Sequence, residues 1–201
     1  MRFCVACWIL GLAFLAGGCA VREPRPEGAW LAERHAWFGD HRQWTVRGRL
    51  GLSDGKRGGS LAMTWTADGA RHVVALRTVA GGRQWRLEMG PNGATLTGSD
   101  VGRLQGRNPD LLVERAVGWP IPVRWMSEWL RGLPAPAAAD TRFAEDGVLE
   151  ALEWDGWQLD FGRWSQLKGN SVLLPVRVTA EKPPYRVRAA LSRWRFEPAR
   201  Q

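Results

Sequence analysis

From Trp44 onward, apolar and polar residues alternate along the chain with a period of two. Trp44, Val46 and Leu50 fall on one side of the first such segment, and Arg47 and Arg49 fall on the other. This alternation is typical of a β-strand that buries one face. Similar alternation recurs along the chain, so its body is predicted to be built mainly from strands.

Turn sequences separate this strand from several others. Asp68-Gly69, Asn92-Gly93 and Asp155-Gly156 favour tight hairpins. Further strands are predicted at 61–65, 72–76, 85–89, 94–96, 148–154, 157–161, 172–178 and 185–196. Consecutive strands joined by short turns pair antiparallel, which predicts a meandering antiparallel sheet or barrel.

Three segments break the strand pattern and predict helices at 29–42, 108–118 and 122–131. In the second, Asn108 can cap the first turn, Pro109 suits the first helical position and Gly118 suits the end. The last two helices interrupt the run of strands midway. They are therefore expected to form a helical cover on the sheet.

The N-terminus carries an export signal. A basic residue, an apolar run and small residues lead up to Cys19, a pattern that resembles a bacterial lipobox. We expect residues 1–18 to be a cleaved lipoprotein signal peptide, 19–28 an acylated Cys19 with its tether, and 29–197 a single domain. Ala20 follows the cysteine where Asp would favour the inner membrane, so the resemblance implies the outer membrane. The alternative is an ordinary signal cut near residue 16 or 17.

Catalytic and metal chemistry find little support in the composition. All three Cys precede residue 20, and only His35, His41 and His72 could serve as the base of a hydrolytic triad. Glu150, Glu153 and Asp155 show no spacing that indicates an acid/base pair. An exported hydrolase is kept as a minor alternative. The net charge of +8 could suit nucleic acid, but the arginines are spread over outward strand positions and the chain is exported. A solvated face attracted to anionic lipid is the preferred interpretation.

Trp is unusually common, with 13 Trp in 201 residues, and Met89 and Met126 accompany Trp at the predicted apolar positions. A tightly closed core is built more readily from Leu, Ile, Val and Phe. Bulky Trp and flexible Met on a helix face above a sheet suit an adaptable apolar cavity. Plain core packing remains the alternative for each single residue.

Three sequence blocks together resemble the LolB family of outer-membrane lipoprotein receptors. They are residues 44–50 (WTVRGRL), 118–122 (GWPIP) and 129–134 (WLRGLP), and the resemblance runs from Cys19 to about Phe196. It implies a mainly β fold with some α-helix, namely an incomplete (half-open) antiparallel β-barrel with a helical lid over an apolar cavity. It also implies a lipid-anchored outer-membrane protein that faces the periplasm and is not an enzyme.

The resemblance further implies partners and sites. The protein would act as a monomer without a cofactor beyond the lipid on Cys19. It would accept triacylated lipoproteins from the periplasmic carrier LolA and insert them among outer-membrane phospholipids. Val79 and Ala80 would form the membrane-insertion tip. The acyl-chain cavity would draw on Trp65, Leu76, Leu87, Met89, Leu112, Trp125, Met126 and Trp129. The alternative is a structural or assembly lipoprotein with a closed core.

Overall fold

A computed structural model describes residues 27–80, 82–137, 139–145, 147–168 and 172–197. Within these ranges the chain forms three helices: α1 (Glu27–Asp40), α2 (Pro109–Val117) and α3 (Val123–Leu130). None of these helices is long and apolar enough to cross a membrane. The predicted signal peptide, Cys19 and most of the tether lie outside the described residues.

Eleven strands make up most of the remaining described chain. They are β1 (Gln43–Ser53), β2 (Gly58–Asp68), β3 (Arg71–Thr78), β4 (Gln84–Gly90), β5 (Gly93–Gly98), β6 (Gly102–Gly106), β7 (Asp140–Phe143), β8 (Leu149–Trp154), β9 (Trp157–Gln166), β10 (Leu173–Lys182) and β11 (Tyr185–Phe196).

The strands form one antiparallel sheet in the order β6-β5-β4-β3-β2-β1-β11-β10-β9-β8-β7. Consecutive strands pair with each other except β6 and β7, and β11 returns to pair with β1. In the described chain, β6 and β7 are the two free edges. Helices α2 and α3 connect these edges, so the helical segment crosses the opening of the sheet. The predicted half-open antiparallel fold with a helical cover is confirmed.

Helix α2 follows its local sequence signals closely. The Asn108 side chain accepts a hydrogen bond from the Asp110 backbone N–H at 3.0 Å. Pro109 occupies the first turn, where its missing N–H is of no consequence. Gly118 ends the helix in the left-handed conformation (φ 79°) that side chains disfavour. These three residues explain why this helix was predictable to within one residue.

The sequence patterns missed the two edge strands. β6 has Leu104 as its one large apolar residue, and β7 has Phe143. An edge strand pairs on one side only and here buries few side chains, so its alternation is weak. The first helix was also placed slightly late, at 29–42 rather than Glu27–Asp40.

The inward faces of the strands form the core together with the helices. Inward residues such as Val46 and Trp65 are fully buried, whereas outward neighbours such as Arg47 and Arg49 are exposed. The period-two pattern therefore sets which face of the sheet carries the helices.

Candidate functional site

An apolar cavity of about 230 Å³ lies between the inner face of the sheet and the two covering helices. Strands β1 to β5 supply its floor, and α2, α3 and their connection supply its roof. The lining residues are all apolar: Leu50, Leu52, Leu61, Trp65, Val74, Leu76, Trp85, Leu87, Leu96, Val113, Ala116, Val117, Ile121, Val123 and Met126. Such a cavity favours a hydrocarbon occupant.

Trp65 and Trp85 both line the cavity, and the indole N–H group of each forms a hydrogen bond to a residue outside the lining. Trp85 Nε1 donates to Asp100 Oδ1 at 2.7 Å, and Trp65 Nε1 donates to His72 Nδ1 at 3.1 Å. Both rings therefore bury apolar surface at the cavity while their N–H groups remain hydrogen-bonded. This keeps the lining free of unsatisfied donors.

The two roof helices are joined to each other near their N-termini. Asp110 of α2 accepts a hydrogen bond from the Arg124 backbone N–H at 3.0 Å. It also forms an ion pair with Arg124 Nε at 2.7 Å. The Asp110 carboxylate thus binds both the backbone and the side chain of Arg124, which fixes the position of α2 relative to α3. We refer to residues 109–130 as the lid.

The C-terminal end of the lid is fixed to α1 by a buried arginine. Arg34 is 3% exposed and donates to the carbonyl oxygens of Leu173, at 2.6 Å, and Arg131. Its guanidinium lies 4.6 Å from the ring centre of Trp30 and 5.0 Å from that of Trp164. Burial, with the nearby charge of Arg131, lowers the pKa of Arg34 to about 9, so the group stays protonated at neutral pH.

Gly132 makes the sharp turn that follows the lid. Its φ is +67°, and a Cβ there would overlap the Trp164 ring. The lid is thus anchored at its C-terminal end by a glycine turn and a buried cation.

Four of the eight residues predicted for the cavity line it: Trp65, Leu76, Leu87 and Met126. The other four lie elsewhere. Leu112 is buried beside Gly106 of β6, and Met89 packs at the core margin. Trp125 makes an edge contact with Trp154, with ring centres 5.9 Å apart.

Trp129 is buried further along the inner face. Its Nε1 donates to the Ala135 carbonyl oxygen at 2.8 Å. It borders a small void of about 20 Å³ between α3 and strands β9 to β11. Met126 and Ile121 line both this void and the larger cavity. A flexible Met side chain thus separates the two spaces.

The sequence predicted that α2 belongs to the helical cover, but not which of its residues line the cavity. Val113, Ala116 and Val117 line the cavity, whereas the predicted Leu112 does not. The spacing i, i+3, i+4 of these residues is a helix face and was visible in the sequence. Val117 is 43% exposed although it lines the cavity, which places it at the mouth.

The predicted insertion tip lies in the turn between β3 and β4. Val79 is 65% exposed, the highest value for a large apolar residue in the described ranges, and Ala80 is also exposed. The turn adjoins the cavity, because the lining residue Leu61 pairs with Thr78 and the lining residue Leu76 pairs with Trp85. An exposed apolar tip therefore lies at the same end of the sheet as the leucines that border the cavity.

The described residues contain no cluster of His, Cys, Asp or Glu with the arrangement of a metal site. His41 stacks on Trp37 with ring centres 4.0 Å apart, and His72 accepts from Trp65. His35 is exposed on α1. The three histidines thus occupy separate environments.

The fold is of the class in which an open antiparallel sheet has its edges bridged by helices that cover an apolar cavity. Among solved structures, the chain resembles a LolA superfamily protein from Nitrosomonas europaea, with a TM-score of 0.54 and 8% identity over 88% of this chain and 96% of that one. It also resembles a DUF1329 family protein from Desulfovibrio piger, with a TM-score of 0.53 and 10% identity over 89% of this chain and 95% of that one. At these identities the likeness establishes the fold alone.

Sequence comparison identifies the family. The family model for outer membrane lipoprotein LolB matches residues 42–194. The outer-membrane lipoprotein LolB of Marinobacter nauticus is 34% identical over 94% of this chain and 98% of its own length. That of Xanthomonas oryzae pv. oryzae is 31% identical over 90% and 86%. The chain belongs to the LolB family of outer-membrane lipoproteins, which confirms the predicted resemblance and localisation.

Proposed function

We propose that this protein receives lipoproteins from a soluble periplasmic carrier of the LolA type and inserts them into the outer membrane. The observation that carries the proposal is the cavity of about 230 Å³ with its entirely apolar lining. A protein with a closed core, the alternative considered from the sequence, would lack such a space. Family membership supports the same role.

The energetics of lipid transfer explain why such a cavity is needed. Moving one methylene from hydrocarbon to water costs about 0.8 kcal/mol, so three exposed acyl chains cost tens of kcal/mol. A triacylated lipoprotein therefore needs an apolar container until it reaches the membrane. Transfer then proceeds because the acyl chains are bound more favourably by the receptor than by the carrier, and more favourably by the membrane than by the receptor. This sequence requires neither nucleotide hydrolysis nor covalent catalysis.

The size of the cavity indicates that the lid opens during uptake. An apolar cavity of about 150 Å³ holds a benzene-sized molecule, and drug-sized ligands need roughly 300–1,000 Å³. The space beneath the lid therefore accommodates part of one acyl chain in the conformation described here. We infer that α2 and α3, coupled through Asp110 and Arg124, move together away from the sheet when a substrate enters.

Two further parts of the proposal concern the membrane. Cys19, acylated after signal cleavage, would hold the receptor as a monomer at the outer membrane, with its cavity in the periplasm. Val79 and Ala80 would enter the lipid and guide acyl chains from the adjoining cavity into the bilayer. The exposure of Val79 and its position beside the cavity leucines support this role.

The test is a transfer assay with residues 20–201 lacking the N-terminal lipid. The protein is incubated with a LolA-type carrier loaded with a labelled triacylated lipoprotein, and the two proteins are then separated. Movement of the label to this protein is the expected result. Label that stays on a carrier competent to donate to another LolB would contradict the proposal.

A further inference from the structure

The face of the sheet opposite the lid carries a large basic groove that the transfer function does not use. Its volume is about 1150 Å³. No Asp or Glu is among its lining residues. Six arginines line it: Arg47, Arg49, Arg77, Arg86, Arg163 and Arg177. All six side chains are exposed. We refer to this feature as the arginine groove.

Strand register places four of these arginines in one row across the sheet. Arg163 pairs with Arg177, and Arg177 pairs with Ala190. Ala190 pairs with Arg49, and the row continues through Ala62 to Arg77. Neighbouring strands lie about 4.8 Å apart, so the five steps from β9 to β3 cover about 24 Å.

Small residues between the arginines form the floor of the groove. Ala190 and Ala62 separate the arginines of the first row, and Thr64 and Ala75 lie between Arg47 and Arg86 in the next. Guanidinium groups on long side chains therefore stand around a recessed floor. An extended peptide can enter this recess, whereas the flat headgroup surface of a membrane would contact only the arginine side chains around it.

The groove has little internal charge compensation. Arg86 pairs with Glu88, at 2.7 Å. In the described part of the chain, the other five arginines form no ion pair. Like charges held in one groove repel one another, and an anionic occupant relieves that repulsion. The planar guanidinium also binds carboxylates in a two-pronged manner.

We propose that the arginine groove binds an extended acidic segment of a partner protein. An extended peptide rises about 3.3 Å per residue, so a segment of about seven residues spans the row. Alternate side chains of such a segment point to the same side, which directs its carboxylates at the arginines. The arginines lie on the opposite face of the sheet from the lid, so an acidic segment can be bound there while the cavity is occupied.

The test measures binding of a fluorescent decaglutamate peptide to the full-length lipidated protein in neutral detergent. The variant Arg49→Ser/Arg77→Ser is expected to lower the affinity about tenfold, because it removes two adjacent groove charges. The control variant Arg103→Ser/Arg107→Ser removes the same charge from exposed positions outside the groove and should leave the affinity unchanged. Raising salt from about 0.1 to about 1 M should also weaken binding, since the Debye length falls from about 10 to about 3 Å.

Two results would overturn the proposal. Equal loss of affinity in the groove and control variants would show a general charge effect. The second arm places the lipidated protein in phosphatidylcholine vesicles with or without phosphatidylglycerol. Peptide binding should persist in both kinds of vesicle; its loss only in the anionic vesicles would show that the groove faces lipid headgroups. Circular dichroism of each variant establishes that it is folded.

Discussion

Nε1 of the buried Trp65, whose ring lines the apolar cavity, donates a hydrogen bond to Nδ1 of His72 at 3.1 Å. An Nδ1 that accepts a hydrogen bond carries no proton, so the bond requires neutral His72. Burial, with a smaller contribution from the charge of Arg131, lowers the pKa of His72 to about 4. The hydrogen bond that holds Trp65 in the floor of the cavity therefore forms only while His72 is neutral.

The first prediction concerns stability against pH. His72 has a pKa near 6.5 in an unfolded chain and about 4 in the fold. Between these values the unfolded state binds more protons, so the free energy of unfolding should fall as the pH is lowered from about 6.5 toward 4. This contribution should be constant above about pH 7. Urea titrations at a series of pH values, followed by Trp fluorescence, measure it.

The matched variant is His72→Phe, which retains an aromatic ring but cannot titrate. It should be less stable at neutral pH, because the Trp65 N–H loses its acceptor, by about 1–3 kcal/mol. The loss of stability between pH 6.5 and 4 should be smaller than in the wild type. An unchanged pH dependence would show that other groups cause it.

The second prediction fills the cavity. Ala116 lies in the roof on α2, and Ala116→Trp should occupy part of the space beneath the lid. We expect about tenfold weaker retention of a labelled acyl chain, equivalent to about 1.4 kcal/mol. Glu114→Trp puts the same side chain on an exposed position of the same helix and should retain wild-type binding. Equal effects of the two variants would contradict the position of the cavity.

The third prediction concerns the tip at Val79. Because this side chain is 65% exposed, Val79→Glu should change the free energy of unfolding by no more than about 0.5 kcal/mol. It should leave uptake from the carrier intact and block release into vesicles, since a carboxylate resists entry into lipid. The transfer assay, with vesicles added in a second step, separates uptake from release.

The converse variant at the same position is Val79→Leu. It adds one methylene, which is worth about 0.8 kcal/mol when buried, so release should be about fourfold more favourable. Release that is unchanged in both Val79 variants would exclude this turn as the insertion tip.

The fourth prediction concerns the anchor of the lid. Arg34→Lys keeps the charge but cannot donate to the Leu173 and Arg131 carbonyl oxygens in the same forked geometry. We expect it to lower the free energy of unfolding by about 2–4 kcal/mol, since buried acceptors lose their partner. The exposed Arg42→Lys is the control and should be nearly neutral. Equal stability of both variants would contradict a structural role for Arg34.

Local signals in the sequence predicted much of the fold. Helix α2 could be placed from Asn108, Pro109 and Gly118 because each acts within one turn of its own position. The hairpins at Asp68-Gly69 and Asn92-Gly93 likewise form where their turn residues lie. The edge strands β6 and β7 were not predicted, since they bury too few residues to impose an alternation.

The candidate site was predictable only in outline. The sequence showed which residues face the core but not which of them meet the larger cavity: Leu87 lines it, whereas Trp129 borders the small void between α3 and strands β9 to β11. Arg34 resembles any surface arginine of a helix. Its partners Arg131 and Leu173 are 97 and 139 residues away, and no local pattern reveals such contacts.

The most direct test of the proposed function asks whether acyl chains occupy the space beneath the lid. A photo-crosslinking amino acid replaces Leu87, which lines the cavity, or the adjacent Glu88, which points to the opposite face. Each protein receives a lipoprotein with radiolabelled acyl chains from the carrier and is then irradiated. Labelled adducts are expected at position 87 and none at position 88. Adducts at 88 alone, or at neither position after proven transfer, would contradict the proposed function.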